Sequence, residues 1–350
     1  MSAEPTEAGA VVPALVRDYR RLLRLFPFAY RRAHGPEMLG HLLDAAAPGQ
    51  SRPARGDVLD LLRAAAREWV LAPLGATASD RRAATGVLSV VLPALLAVPA
   101  TRALGFGTSL AVQDGAPPVL PTVPMVVPWA IWALAVVVLL AGAGRTGRAL
   151  AATAAVAATV TVVALVATGH VHAAYLETGW AVGIAAHALV VAEDERGRVT
   201  AGGWRRGAAT AAAMALAVGG YLAATVADTT RFGAPWWSSV GATTWSMQAV
   251  VVLLALVGGT GILLARTRQA VPVLAGVVTA VVLGRSEFFW SGSLDPSTVD
   301  LGNVLGLLAF ALGATCAVRW VVNRIDELAE VRARLRRDVE QAVGPGMGAV

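Results

Sequence analysis

Long runs of uncharged, apolar residues are the feature that most constrains how this chain can fold. A bilayer core of about 30 Å needs about 20 apolar residues in a helix. Eight such runs can be read along the chain, at 84–101, 123–143, 149–168, 174–192, 208–227, 246–265, 270–284 and 301–321. A composition of 56% hydrophobic and 15% charged residues excludes a water-soluble globule. We therefore predict an all-α integral membrane protein with about eight transmembrane helices.

The arginines indicate which side of the membrane each loop occupies. All 29 basic residues are arginine, and arginine-rich short loops stay in the cytoplasm. With the N-terminus inside, 26 of the 29 lie in inner segments, and the outer loops hold Arg102, Arg231 and Arg285. This pattern predicts a bacterial inner (plasma) membrane protein with both termini cytoplasmic. The pI near 10.5 then reflects topology and anionic lipid, so nucleic acid is not an expected partner.

The first 82 residues are predicted to form a cytoplasmic module of three amphipathic helices. The first helix follows Pro13, the second begins after Gly35, and the third starts near Gly56. Helical spacing gives each helix one apolar face. These faces comprise Leu15, Tyr19, Leu22, Leu23 and Phe26; Met38, Leu39, Leu42 and Leu43; and Val58, Leu61, Leu62, Ala65 and Trp69.

Residues 322–350 follow the transmembrane domain (83–321) and predict a cytoplasmic amphipathic tail. Its apolar residues recur at helical spacing, at Ile325, Leu328, Val331, Leu335, Val339 and Ala342. Two interpretations stay open. The tail either continues the last span and packs on the inner surface, or it is a dimerisation or docking helix.

The N-terminal module resembles a known prefix. Leu25-Phe26-Pro27, Tyr30-Arg31-Arg32, Gly35, Glu37-Met38 and Leu42-Leu43 are similar to the N-terminal part of many uncharacterised actinobacterial membrane proteins. Similar prefixes precede some permease domains, and comparable modules occur beside PadR-type transcriptional regulators. The family commonly has tyrosine at the position of Phe26. The permease relatives carry a large extracytoplasmic domain, whereas no outer loop here exceeds about 20 residues.

Polar residues near and within the spans are the candidate site residues. His170, His172 and Glu177 are a possible ligand set for a divalent metal, but His-x-His spacing points both rings one way only in an extended segment, and the flanks are helical. We therefore predict no metal site and expect interfacial polar residues here, with metal binding as the alternative. His187 lies deeper in the fourth span, where an ionisable side chain is either functional or hydrogen-bonded to a neighbouring helix. Gly179 and Gly183 have the spacing of closely packed membrane helices.

No catalytic motif is visible, so we predict a protein that is not an enzyme and has no cofactor. The chain lacks lysine, which a Walker A loop or a pyridoxal Schiff base requires. One hypothesis is a signalling or regulatory component that links the envelope to a cytoplasmic partner such as a transcriptional regulator. The alternative is the membrane subunit of an exporter with a separate ATPase. Candidate partner-docking residues are Arg31, Arg32 and Glu37, which the sequence places around the turn between the first two helices.

Overall fold

The described part of the chain is mostly helical, with short turns and irregular segments between the helices. The computed structural model describes residues 13–47, 49–75, 77–112, 122–194, 203–232, 268–284 and 300–343, and no strand occurs in these ranges. The predicted all-α class is therefore confirmed for them. The chain divides into two compact units, Met1–Ala78 and Ser79–Val350.

Three helices pack around one core in the first unit. They are α1 (Pro13–Leu23), α2 (Phe28–Asp44) and α3 (Arg55–Leu71), with a single 3-10 turn at Ala72–Leu74. The buried core consists of Leu15, Tyr19, Leu23, Phe26, Leu61 and Ala65. The predicted apolar residues of α2 are partly buried against it. The apolar faces predicted for the first two helices are thus the faces that pack.

The second helix begins earlier than predicted. Its first turn is closed by a hydrogen bond from Arg31 N to Pro27 O (2.9 Å), and Gly35 and Pro36 lie inside the helix. A proline within a helix removes one backbone donor and normally kinks or ends it, which is why the sequence favours a start after Gly35. That expectation is wrong, because Phe28–Asp44 is continuous through Pro36.

The third helix packs through only part of its predicted face, because Leu61 and Ala65 are buried as predicted but Leu62 and Trp69 are not. Leu61, Ala65, Glu68 and Leu71 are buried, whereas the side chains of Leu62 and Trp69 are 44% and 58% exposed. Apolar residues occur on several sides of α3, so their spacing alone does not select one face. The helix is turned by about one residue, which places Trp69 on the surface.

The second unit is built from seven described helices. The first three that follow the boundary are α4 (Ala78–Ala111), α5 (Val126–Leu140) and α6 (Gly144–Ala167). The others are α7 (Val171–Asp194), α8 (Gly203–Phe232), α9 (Val271–Gly284) and α10 (Leu301–Val343). A 3-10 turn, Arg268–Ala270, leads into α9.

Four described helices are long and apolar enough to cross a membrane, which indicates a membrane protein. They comprise Ser79–Ala111, Gly144–Ala167, Val171–Asp194 and Leu301–Val339. These four helices contain four of the predicted spans, except for the last residue of 149–168. Two further predicted spans, 123–143 and 270–284, fall on shorter apolar helices, Val126–Leu140 and Arg268–Gly284. The predicted span 208–227 lies in α8, which is not among the four, and 246–265 lies outside the described residues.

The four long helices differ in how much protein surrounds them. In their most apolar stretches, 61% of the residues of α4 and of α7 are buried inside the protein, against 22% for α6 and 17% for α10. Exposed apolar side chains are what lipid contact requires. α4 and α7 are therefore interior helices of this unit, and α6 and α10 have faces suited to lipid.

Close packing at α7 follows from its glycines. A Cβ atom at Gly179 would lie 2.5 Å from Ala280 O on α9, and one at Gly183 would lie 2.8 Å from Leu96 Cδ2 on α4. Tyr175 Oη also donates to Leu283 O (2.7 Å). The close helix contact predicted from the spacing of Gly179 and Gly183 is confirmed.

The last helix is far longer than a bilayer is thick. α10 has 43 residues, which at 1.5 Å per residue is about 65 Å, roughly twice the hydrocarbon core. The amphipathic tail predicted after residue 321 is therefore an unbroken continuation of this helix up to Val343.

Candidate functional site

The three predicted docking residues lie on one helix, α2. The guanidinium of Arg31 is 5.7 Å from the ring centre of Phe28, and its Nη1 donates to Arg24 O (3.1 Å). Arg32 and Glu37 are exposed. Five residues separate Arg32 from Glu37, which at about 100° per residue leaves them about 140° apart around the helix. The structure therefore does not bring the three residues together on one face.

An exposed apolar surface adjoins Arg31. The side chains of Leu25, Phe28 and Trp69 are 43%, 68% and 58% exposed. Trp69 Nε1 donates to Leu25 O (2.6 Å), which holds the indole against the segment between α1 and α2. We name Leu25, Phe28, Arg31 and Trp69 the Trp69 patch. Sequence reasoning missed it because Trp69 has the spacing of a core residue.

A partly buried hydrogen bond holds α1 against α3 in the same unit. Tyr19 Oη donates to Asp57 Oδ2 (2.7 Å) across 38 residues of sequence. Burial, and then the bond to Asp57, raise the pKa of Tyr19 to about 12. The phenol is therefore un-ionised at neutral pH and keeps donating, so the helices that support the Trp69 patch are fixed relative to each other.

The candidate metal residues are not assembled into a site. No group of three or more His, Cys, Asp or Glu side chains suited to a metal ion occurs among the described residues. His170 precedes α7 and its Nδ1 lies 3.1 Å from Thr168 Oγ1. His172 and Glu177 are both within α7, five residues apart, which places them on different faces of the helix. The helical backbone thus separates residues that the sequence places close together.

His187 lies in the interior of the membrane unit. Its side chain is 2% exposed, and its Nδ1 accepts a hydrogen bond from Trp132 Nε1 on α5 (3.1 Å). Trp129 and Trp180 extend this into an aromatic cluster, with edge-to-face ring centres 5.7 Å (Trp129–Trp132) and 6.3 Å (Trp129–Trp180) apart. Because an indole can only donate, His187 Nδ1 is unprotonated. The arrangement ties α5 to α7.

A polar cluster between the 3-10 turn Arg268–Ala270 and α10 is the main feature that sequence reasoning missed. Gln269 is 5% exposed, its Nε2 donates to Asp326 Oδ2 (2.9 Å), and its Oε1 accepts from Arg319. Arg268 Nε lies 3.0 Å from Asp326 Oδ1. Arg319 and Asp326 are seven residues apart and so share a helix face. This spacing is the one feature of the sequence that could have indicated the cluster. Their partners come from 50 or more residues away, which spacing cannot indicate.

The polar side chains of His187 and Gln269 are already hydrogen-bonded to other residues of this chain. The Trp69 patch, in contrast, presents apolar and cationic side chains at the surface. The patch is therefore the candidate functional site, and its chemistry is that of binding. Comparison with protein families, with curated proteins and with solved structures finds no match to this chain.

Proposed function

We propose that this protein spans the cytoplasmic membrane eight times with both termini in the cytoplasm. The long apolar helices support insertion in a membrane. The arginine distribution supports the orientation, because 26 of 29 arginines fall on one side when eight spans are assumed.

The first unit is, in this proposal, a docking module for a cytoplasmic protein. The observation that carries the proposal is the Trp69 patch, because Phe28 and Trp69 are large apolar side chains left outside a core that is complete without them. Tryptophan and arginine are enriched among the residues that contribute most to protein–protein binding. A packed helical support and two exposed aromatic side chains together suit a partner with a hydrophobic groove.

The charge of the unit indicates the character of that partner. Residues 13–75 contain ten arginines and six acidic residues. Arg31 belongs to the patch, and Arg24 and Arg32 are next to patch residues in sequence. Surfaces that bind each other are complementary in charge. The partner is therefore expected to present an apolar groove with an acidic rim.

The role that combines these features is non-enzymatic signalling or regulation, in which a state of the membrane unit is passed to a protein bound at the Trp69 patch. The similarity of the prefix to modules found beside PadR-type regulators supports a transcriptional regulator as that protein.

Recovery of the partner from native membranes tests the proposal. The tagged full-length protein is purified in mild detergent, and co-purifying proteins are compared for Phe28→Ala, for Arg31→Ala with Arg32→Ala, and for Leu59→Ala. Leu59 is an exposed apolar residue of α3 outside the patch (47% exposed) and is the matched control. We expect the first two variants to lose a specific protein that Leu59→Ala retains, because truncating an interface anchor typically costs about 2 kcal/mol or more, roughly 30-fold in affinity.

The identity of that protein separates the two roles. A soluble regulator supports signalling, and an ATPase supports the exporter subunit. Equal recovery of the same proteins by all variants at normal expression would contradict docking through the Trp69 patch.

A further inference from the structure

An exposed apolar stripe runs along the end of α10. Leu328, Val331, Leu335 and Val339 are 59%, 52%, 59% and 59% exposed. All four lie beyond residue 321, where the last predicted span ends, so lipid acyl chains are not expected to cover them. We name these four residues the α10 stripe.

The spacing of the α10 stripe suits a neighbouring helix. Its four residues follow one another at intervals of three, four and four. Together these intervals make eleven residues over three helical turns. This repeat of about 3.67 residues per turn is close to the 3.6 of a straight helix. The stripe therefore stays on one side of α10 and can contact a parallel helix along its whole length.

The charges around the stripe argue against an anionic lipid surface as its cover. Residues 322–343 contain five arginines and five acidic residues, whereas helices that lie on membranes are rich in basic residues on their polar face. Arg324 and Glu327 form an ion pair along the helix, with Nη1 and Oε2 2.6 Å apart. A segment without net charge gains little from the negative inner leaflet.

Two of these charges, Glu327 and Arg332, are complementary between two parallel copies. At the start of the stripe Leu328 and Val331 take the a and d positions of a helix pair, so Glu327 is at g and Arg332 at the following e. Val339 follows Leu335 by four residues, so this heptad register applies to residues 327–335. A g residue meets the e residue five positions later on a parallel partner, so Glu327 of each copy faces Arg332 of the other. Copies inserted the same way in one membrane present this part of α10 in the same direction and at the same height.

We propose that the α10 stripe is a self-association surface, which packs in parallel against the α10 stripe of a second copy of this chain. The inference uses the membrane insertion of α10 and does not depend on docking at the Trp69 patch.

Disulfide cross-linking in membranes tests the pairing. The native Cys316 is replaced by serine, and one cysteine is placed either on the stripe, Leu335→Cys, or on the opposite side of the same turn, Ala333→Cys. The full-length protein is oxidised in native membranes and resolved without reductant. A disulfide requires Cα atoms within about 7 Å, so we expect at least about tenfold more covalent dimer from Leu335→Cys than from Ala333→Cys.

Charge exchange tests the orientation independently. In the Leu335→Cys background, Glu327→Arg and Arg332→Glu should each lower the dimer yield severalfold, because each places like charges opposite each other. The double variant restores opposite charges and should recover the yield. The cross-linking yields do not depend on whether a partner binds the Trp69 patch. Failure of the docking proposal would therefore appear only in the co-purification experiment, and failure of self-association only in the cross-linking.

Three results would overturn self-association. The first is equal cross-linking from positions 333 and 335. The second is a product of another mass in place of the dimer, which would show a different protein as the cover. The third is single and double charge variants with the same yield.

Discussion

The pair of His187 and Trp132 shows how an ionisable side chain is accommodated among apolar helices. His187 accepts one hydrogen bond from an indole, and both side chains are almost fully buried. A polar group buried without a partner costs about 1 to 3 kcal/mol. The bond therefore supports the structural alternative for this residue over a site that exchanges ligands or protons with water.

A double-mutant cycle measures this contact. We expect His187→Leu to lower the thermal stability of the detergent-solubilised protein, because Trp132 Nε1 loses its acceptor in a dry interior, at a cost of about 1 to 3 kcal/mol. Trp132→Phe in the same protein removes the donor as well. The double variant should therefore be less destabilised than the sum of the two single variants. Additive losses would show that the hydrogen bond contributes nothing.

At the scale of helices, the spacing of apolar residues predicts the buried face of a helix well only where the helix has a single apolar side. The faces of α1 and α2 follow directly from Leu15, Tyr19, Met38 and Leu42. The start of α2 is hidden, because Pro36 has the local signature of a helix beginning but lies in a helix interior. Spacing does not orient α3, because Leu61 and Leu62 are adjacent and equally apolar.

Contacts between distant helices set the remaining limit. Gln269 contacts Arg319 and Asp326 from another helix, and Trp69 binds a carbonyl 44 residues away. Such pairs depend on tertiary packing, so no periodic pattern in the sequence indicates them. Leu25, Phe28 and Trp69 therefore become a candidate site only when the fold brings them together.

Two glycines in long helices should respond oppositely to the same substitution. Gly179→Ala places a methyl group against Ala280 O on α9, so the helices must separate, and overpacking costs about 1 to 3 kcal/mol. A Cβ atom at Gly219 of α8 meets nothing within 4 Å, so Gly219→Ala should be neutral or stabilise by up to about 1 kcal/mol through helix propensity. Thermal unfolding in detergent checks both. Equal effects at the two positions would contradict the close α7–α9 contact.

At the scale of the whole chain, the charge and hydropathy patterns together predict the membrane topology. Hydropathy alone locates the apolar helices but does not indicate which end of each helix faces the cytoplasm. The arginines supply the direction, because short loops rich in arginine are retained inside. α6 offers the clearest test of the two combined, since its 24 residues span about 36 Å and have Arg145 and Arg148 at one end only.

Single cysteines at the two ends of α6 should report opposite sides of the membrane. Thr146 and Thr168 are both exposed, so Thr146→Cys and Thr168→Cys, each in a Cys316→Ser background, can react without disturbing the core. With the arginine-bearing end inside, an impermeant maleimide on intact cells should label position 168 and should reach position 146 only after the membrane is permeabilised. Val112, 82% exposed after α4, is predicted to face outward, so Val112→Cys in the same background should label like position 168. Labelling of 146 alone would invert the orientation, because the arginines would then lie outside. Equal labelling of 146 and 168 on intact cells would mean that α6 does not cross, and the arrangement of eight spans would fail with it.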